Sequence, residues 1–240
     1  MITAAALCPA PPLLARELTG ADPVVPELRR ACRDAAAGLL RGHPDVVAVV
    51  GPGEQTRTWD EGLELDVSGF APGIGAAARD GSAERGGPAG LPLPLGLGAR
   101  LLDQAGYAGP RVLQSVGHNE PADRCAELGA RIARSAGRVA LLAMADGSAR
   151  RGPKAPGYFD ERSSPFDAQV ERAVRTGDLD PLLALDQDLA RELMATGRPS
   201  WQVLAGALQG TETASEIIYR DDPFGVAYLV ASLTVGPPAA

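Results

Sequence analysis

The side chains best equipped for chemistry crowd into one stretch, Met144 to Asp167, MADGSARRGPKAPGYFDERSSPFD. Asp146, Ser148, Arg150, Arg151, Lys154, Tyr158, Asp160 and Arg162 all fall within it. Arg150, Arg151, Lys154 and Arg162 form a cationic group that could hold a carboxylate or phosphate through charge-assisted hydrogen bonds. Asp146, Asp160 and Glu161 could equally neutralise those cations in a solvated surface network. Both readings stand on the residues alone.

Other chemistries find few residues. The chain has two histidines, His43 and His118, too few for a centre built on several imidazoles. His43 precedes Pro44 at a helix end, where a cationic side chain suits the dipole. His118 ends an expected strand, where α/β proteins place ligands, although a hydrogen-bonded structural histidine fits there too. Cys8, Cys32 and Cys125 form no C-x-x-C pair, so buried, reduced thiols are expected rather than zinc or redox chemistry. There is no G-x-S-x-G elbow, and Ser148 has no histidine near it in sequence. Gly51-Pro52-Gly53 and Gly73-Ile74-Gly75 both lack the third glycine of a dinucleotide fingerprint.

Composition narrows the partners. A net charge of −7 argues against a nucleic-acid protein, since phosphate backbones demand a basic excess, and 4% aromatics leaves little for base stacking. MITAAALCPAPPLL is apolar but lacks a basic leader, and its prolines interrupt any span, so a cytoplasmic location without membrane attachment is expected. A small-molecule ligand is the expected partner, with homo- or hetero-oligomers both open.

The elements that must position the central stretch read as alternating strands and helices. Ile2–Leu7, Val46–Val50, Arg111–Val116 and Val139–Met144 are short apolar runs expected as buried strands. Pro26 to Leu40 reads as a helix with Leu28, Cys32, Ala35 and Leu39 inward and Arg29, Arg30, Arg33 and Asp34 outward. Leu95 to Gln104 reads as a short helix, and another runs to about Ser135, capped by Asn119 or Glu120. After the central stretch, Ser164 is expected to cap a helix with Pro165 in its first turn and Gly177 at its end. Asp180-Pro181 opens a short turn, Asp186 caps a helix stopping near Gly197, and Ser200 caps a third through about Leu208. Phe224 to Val235 reads as a last, central strand. Between Gly53 and Pro94 only Leu63–Val67 alternates like a strand, and Asp80 to Gly90 reads as a flexible excursion. One α/β domain over residues 1–240 is expected, a three-layer sandwich around a mostly parallel sheet.

Three blocks carry a family resemblance. ALCPAPPLL resembles the opening of class III extradiol ring-cleavage dioxygenases of the LigB type. ADGSARRGPKAPGYFDERSSPFD and the closing YRDDPFGVAYLVA resemble later blocks of an actinobacterial branch. The resemblance implies a three-layer α/β fold and, in active members, Fe(II) held by two histidines and an acid, with another histidine as acid/base. Carried over residue by residue, the three histidine positions fall at Ala10, Gly53 and Ala149. Glu216, Asp221 and Asp222 are the candidates for the carboxylate. Neither Ala nor Gly can bind iron or move a proton.

The leading expectation is therefore a pseudoenzyme of this fold, without a cofactor, that binds an anionic or aromatic small molecule. Its pocket would be lined by Asp146, Ser148, Arg150, Arg151, Lys154, Tyr158, His118 and Asp222. A rival keeps ring cleavage, with Fe(II) on a displaced site built from His118 and Asp146, Asp221 or Asp222. A third makes the chain a non-catalytic member of a hetero-oligomer. The residues alone leave open whether the protein is an enzyme.

Overall fold

Near-continuous apolar runs such as ITAAALC and VALLAM have no polar face to offer water, so they must be covered on both sides. The computed structural model, which describes residues 1–20, 24–70 and 90–236, covers them with helices on both faces of one sheet. In chain order the strands are β1 (Ile2–Cys8), β2 (Val46–Gly53), β3 (Arg57–Trp59), β4 (Arg111–Gly117), β5 (Val139–Met144), β6 (Thr213–Asp221) and β7 (Tyr228–Val235). The helices are α1 (Arg16–Thr19), α2 (Pro26–Leu39), α3 (Leu93–Gln104), α4 (Ala122–Ala133), α5 (Ser163–Thr176), α6 (Asp180–Leu183), α7 (Gln187–Glu192) and α8 (Arg198–Leu208).

The sheet runs β3-β4-β2-β5-β1-β7-β6. Its middle, β4-β2-β5-β1, is parallel, and β3, β7 and β6 join antiparallel at the flanks. On one face α4, α5 and α8 bury Leu128, Ile132, Phe166, Val170, Trp201 and Leu204 against Leu7, Val50 and Leu141. On the other, α2 and α3 bury Leu28, Cys32, Leu39, Leu95 and Leu102 against Val47, Val49 and Leu142. The three-layer α/β sandwich is the fold. Among the described residues no helix is long and apolar enough to cross a membrane.

Several local expectations change. The sheet is parallel only at its centre, because β6 and β7 form an antiparallel hairpin that feeds β7 back beside β1. β6 went unread because Thr213–Asp221, TASEIIYRD, neither alternates nor forms an apolar run, and none of its residues is buried, as suits an edge strand open to water. Phe224 lies in the hairpin turn, and the last strand starts only at Tyr228. Leu63–Val67 forms a single bridge, Leu65 to Leu91, rather than a strand, while Arg57–Trp59 does pair with β4. The excursion read over 80–90 lies, but for Gly90, outside the described residues.

Three expected caps also fail. α5 begins at Ser163, and the Ser164 hydroxyl accepts from Arg151 instead of capping. Ser200 sits inside α8, fully buried, and α4 starts after Pro121 with no side-chain cap from Asn119 or Glu120. Asp186 does cap α7, its carboxylate accepting the Leu189 N–H at 2.9 Å, although that helix ends at Glu192 rather than near Gly197.

α4 and α8 touch backbone to backbone. A Cβ at Gly129 would lie 2.1 Å from the Val203 carbonyl oxygen, and one at Gly206 would lie 2.4 Å from Ala126 Cα. Gly129→Ala should therefore lower the unfolding free energy by about 2–3 kcal/mol in urea titration, despite alanine's better helix propensity. Gly152→Ala, where a Cβ meets nothing within 4 Å, is the control and should change stability by less than about 0.5 kcal/mol.

Candidate functional site

The connection from β5 to α5 leaves the sheet where the parallel strands end, the edge at which doubly wound folds gather polar groups. Its residues are held one by one. Asp146 Oδ1 accepts the Ala10 N–H at 2.8 Å, and its carbonyl accepts the Gly197 N–H at 2.9 Å, so it closes the ends of β1 and β5 together. Burial pushes this carboxyl up to about 6, and the Ala10 N–H only partly opposes that. Gly147 N–H donates to the Ala227 carbonyl, and Ala227 N–H returns a bond to the Ser148 carbonyl, which zips the connection to the start of β7. Gly147 has no room for a side chain: a Cβ would lie 2.7 Å from Ala227 Cβ.

Ser148 is fully buried and gives both its donors to Asp167 of α5, the backbone N–H at 2.9 Å and the hydroxyl at 2.5 Å. Both donors are thus spent on one carboxylate. Arg151 sits on the outer side of the same carboxylate at 3.8 Å, with its Nε 2.9 Å from Asp222 and its Nη1 2.7 Å from the Ser164 hydroxyl. Burial raises Asp167 above the usual carboxylate range, against the pull of Ser148 and Arg151.

The cationic group is thus largely neutralised. Arg150 faces Asp160 at 3.6 Å, and Arg162 binds both Asp160 and Glu192. Arg162 holds the Asp160 carboxyl down at about 2. Lys154 is exposed beside Phe224 on a shallow hollow, and Tyr158 stands 76% exposed in a left-handed backbone conformation (φ 60°). His118 lies elsewhere. It lines a separate cavity with Met194 and Pro199, and its nearest carboxylate is Glu54 at 4.0 Å. The carbonyl of His118 anchors the buried Arg198 of α8. Of the eight expected pocket residues, the cleft described next takes in Arg151 and Asp222.

That cleft, about 260 Å³, opens between the connection, α5 and the β6–β7 hairpin. Arg151, Asp167, Glu171, Arg220, Asp221 and Asp222 supply its charged walls, and Trp201 of α8 and Val170 supply apolar ones. Glu171 pairs with Arg220 at 2.6 Å and with Arg175. Trp201 is 2% exposed, and its indole N–H finds no acceptor among the described residues. Sequence reasoning passed over Trp201, Glu171 and Arg220, and gave Asp167 no part in a pocket. No local signal marks them, because the cleft joins segments some fifty residues apart in the chain.

The donor set does not fit Fe(II). Ala10 and Ala149 are buried alkyl groups, and a Cβ at Gly53 would already lie 3.0 Å from Ser115 Cβ. Among the described residues no three His, Cys, Asp or Glu side chains converge on a metal position.

No family model matches the sequence, and no curated protein matches it. The solved structure of uncharacterized protein JW3007 from Escherichia coli K12 is similar, with a TM-score of 0.54 and 16% identity. The match covers 97% of this chain and 99% of that chain. At that identity the likeness speaks for the fold alone.

Asp146 makes folding stability sensitive to pH. Its folded carboxyl keeps a proton to higher pH than in the unfolded chain, so the unfolded state ionises first as pH rises. Stability should fall by about 1–3 kcal/mol between roughly pH 4 and pH 6 and stay low above that range. Asp146→Asn keeps an acceptor for Ala10, so urea midpoints of that variant should be flatter over this window and higher than wild type at about pH 8.

Proposed function

We propose that this protein is an iron-free relative of the LigB-type extradiol dioxygenases that binds a small aromatic molecule in the Trp201 cleft. Its family membership rests on the three sequence blocks and on agreement with the three-layer fold. The loss of iron rests on Ala10, Gly53 and Ala149, which offer no ligand atoms.

One observation carries the ligand: the buried Trp201 indole N–H, without an acceptor among the described residues, beside a cleft of about 260 Å³. A buried donor left unpaired costs free energy, and a side-chain shift that lets a ligand acceptor meet it recovers that cost. Trp201 and Val170 give the cleft an apolar side against which an aromatic ring packs. The wall charges set the rest. Asp167, Glu171, Asp221 and Asp222 outnumber Arg151 and Arg220, and Arg151 is already held by Asp222 and Ser164. The cleft therefore favours a neutral or amine-bearing aromatic over an anionic one.

Fluorescence of Trp201 in a Trp59→Phe background gives a direct readout, since these are the chain's two tryptophans. Benzylamine and phenol should quench it and raise Tm, with benzoate at least about tenfold weaker. Ala168→Phe, which puts a ring at the exposed rim of the cleft, should abolish the response while the protein stays folded. Silence to all three probes, or a response that survives Ala168→Phe, would overturn the ligand site. Near-equimolar iron retained after anaerobic Fe(II) loading and desalting would overturn the iron-free reading.

A further inference from the structure

On the opposite face of the sheet, α1, α2 and α3 meet around a second cleft of about 200 Å³ that shares no residue with the first. Arg16 of α1, Arg29 and Arg33 of α2 and Arg100 of α3 line it, against one carboxylate among the described residues, that of Glu17. In a chain of net charge −7, this is a concentrated patch of the opposite sign.

The four guanidiniums are not equivalent. Arg29 is a fixed post: its Nε donates to the Val24 carbonyl at 2.9 Å, Nη1 to the Leu14 carbonyl at 2.9 Å, and Nη2 to the Leu13 carbonyl and the Thr19 hydroxyl. All those partners are neutral, so its charge is oriented but not cancelled. Burial, and then the charges of Arg16 and Arg33, pull its pKa down. Arg100 is matched by Glu17, Nη1 to Oε2 at 2.7 Å. Arg16 and Arg33 are exposed and make no ion pair among the described residues, which leaves their forks of donors open. Arg29 and Arg33 stand four residues apart on one helix face, where like charges repel unless something negative lies between them. Cys32, Leu97 and Leu101, all buried, form an apolar wall beside the cations, and Leu14 completes it.

We propose that the cleft between α1, α2 and α3 is a binding site for a small organic anion, with its oxyanion held by Arg16 and Arg33 over the fixed charge of Arg29 and its apolar body laid against Leu97 and Leu101. Guanidinium forks take carboxylate and phosphate oxygens alike in paired hydrogen bonds. The apolar wall discriminates between an organic anion and a bare inorganic one.

Calorimetric titration of the full chain at low salt with phenyl phosphate, hexanoate and inorganic phosphate tests this. Phenyl phosphate or hexanoate should bind, with inorganic phosphate at least about tenfold weaker. Arg16→Gln with Arg33→Gln removes two exposed side chains that make no ion pair among the described residues, so the fold should persist while affinity drops by about tenfold or more. Ala168→Phe, across the sheet, should leave this binding unchanged. The proposal is overturned if neither organic anion binds at about 10 mM, if the double variant binds as well as wild type, or if inorganic phosphate binds as tightly as phenyl phosphate. Phenyl phosphate against benzoate, which share the ring, assigns the headgroup as phosphate or carboxylate.

Discussion

A single carboxylate, Asp167, holds the central connection in one shape. It takes two donors from Ser148 and faces Arg151, while Arg151 reaches across to Asp222 of the hairpin. Ser148 and Gly147 in turn bond to Ala227 at the start of β7. Connection, helix and hairpin therefore meet at one partly buried charge. Such an arrangement is stable only when complete, because a buried polar group that loses a partner is penalised by desolvation. The Trp201 cleft exists because this junction keeps α5 and the hairpin apart at a set distance.

The core of the fold could be read directly. Runs such as VALLAM and VVAVV are apolar throughout and of strand length, which fits buried strands, and α2's inward face of Leu28, Cys32, Ala35 and Leu39 is buried as its spacing requires. What escaped reading was set by tertiary contact. β6 looks like polar loop until β7 offers it a partner. Ser164 and Ser200 carry the right chemistry for caps, yet Arg151 claims one, and burial in α8 claims the other.

The site was legible in place but not in detail. The Met144–Asp167 stretch does connect a central strand to a helix at the sheet's carboxyl edge, and Arg151 and Asp222 do share a cleft. Its cationic character was misleading, because Asp160, Asp167 and Asp222 absorb most of the positive charge. The reverse error fell on α2. Arg33 is exposed as its outer face requires, but Arg29 turns half inward onto carbonyls of the α1 region, and the two line a cleft with α1 and α3. Sequence neighbours tend to neutralise one another, whereas an uncompensated cluster has to be assembled from distant segments.

This distinction limits what net charge can say about ligands. At physiological ionic strength a charge is screened within about 8–10 Å, roughly the width of a small cleft. A value of −7 over the whole surface speaks against a long polyanion, which must meet many sites at once. It says little about a small anion, which meets only the walls of one cleft. The two faces of this sheet differ in that local sense: the Trp201 side has more carboxylates than guanidiniums, the α1–α3 side the reverse. A seven-stranded sheet with its helices lies between them and keeps the two sets of charges too far apart to cancel each other.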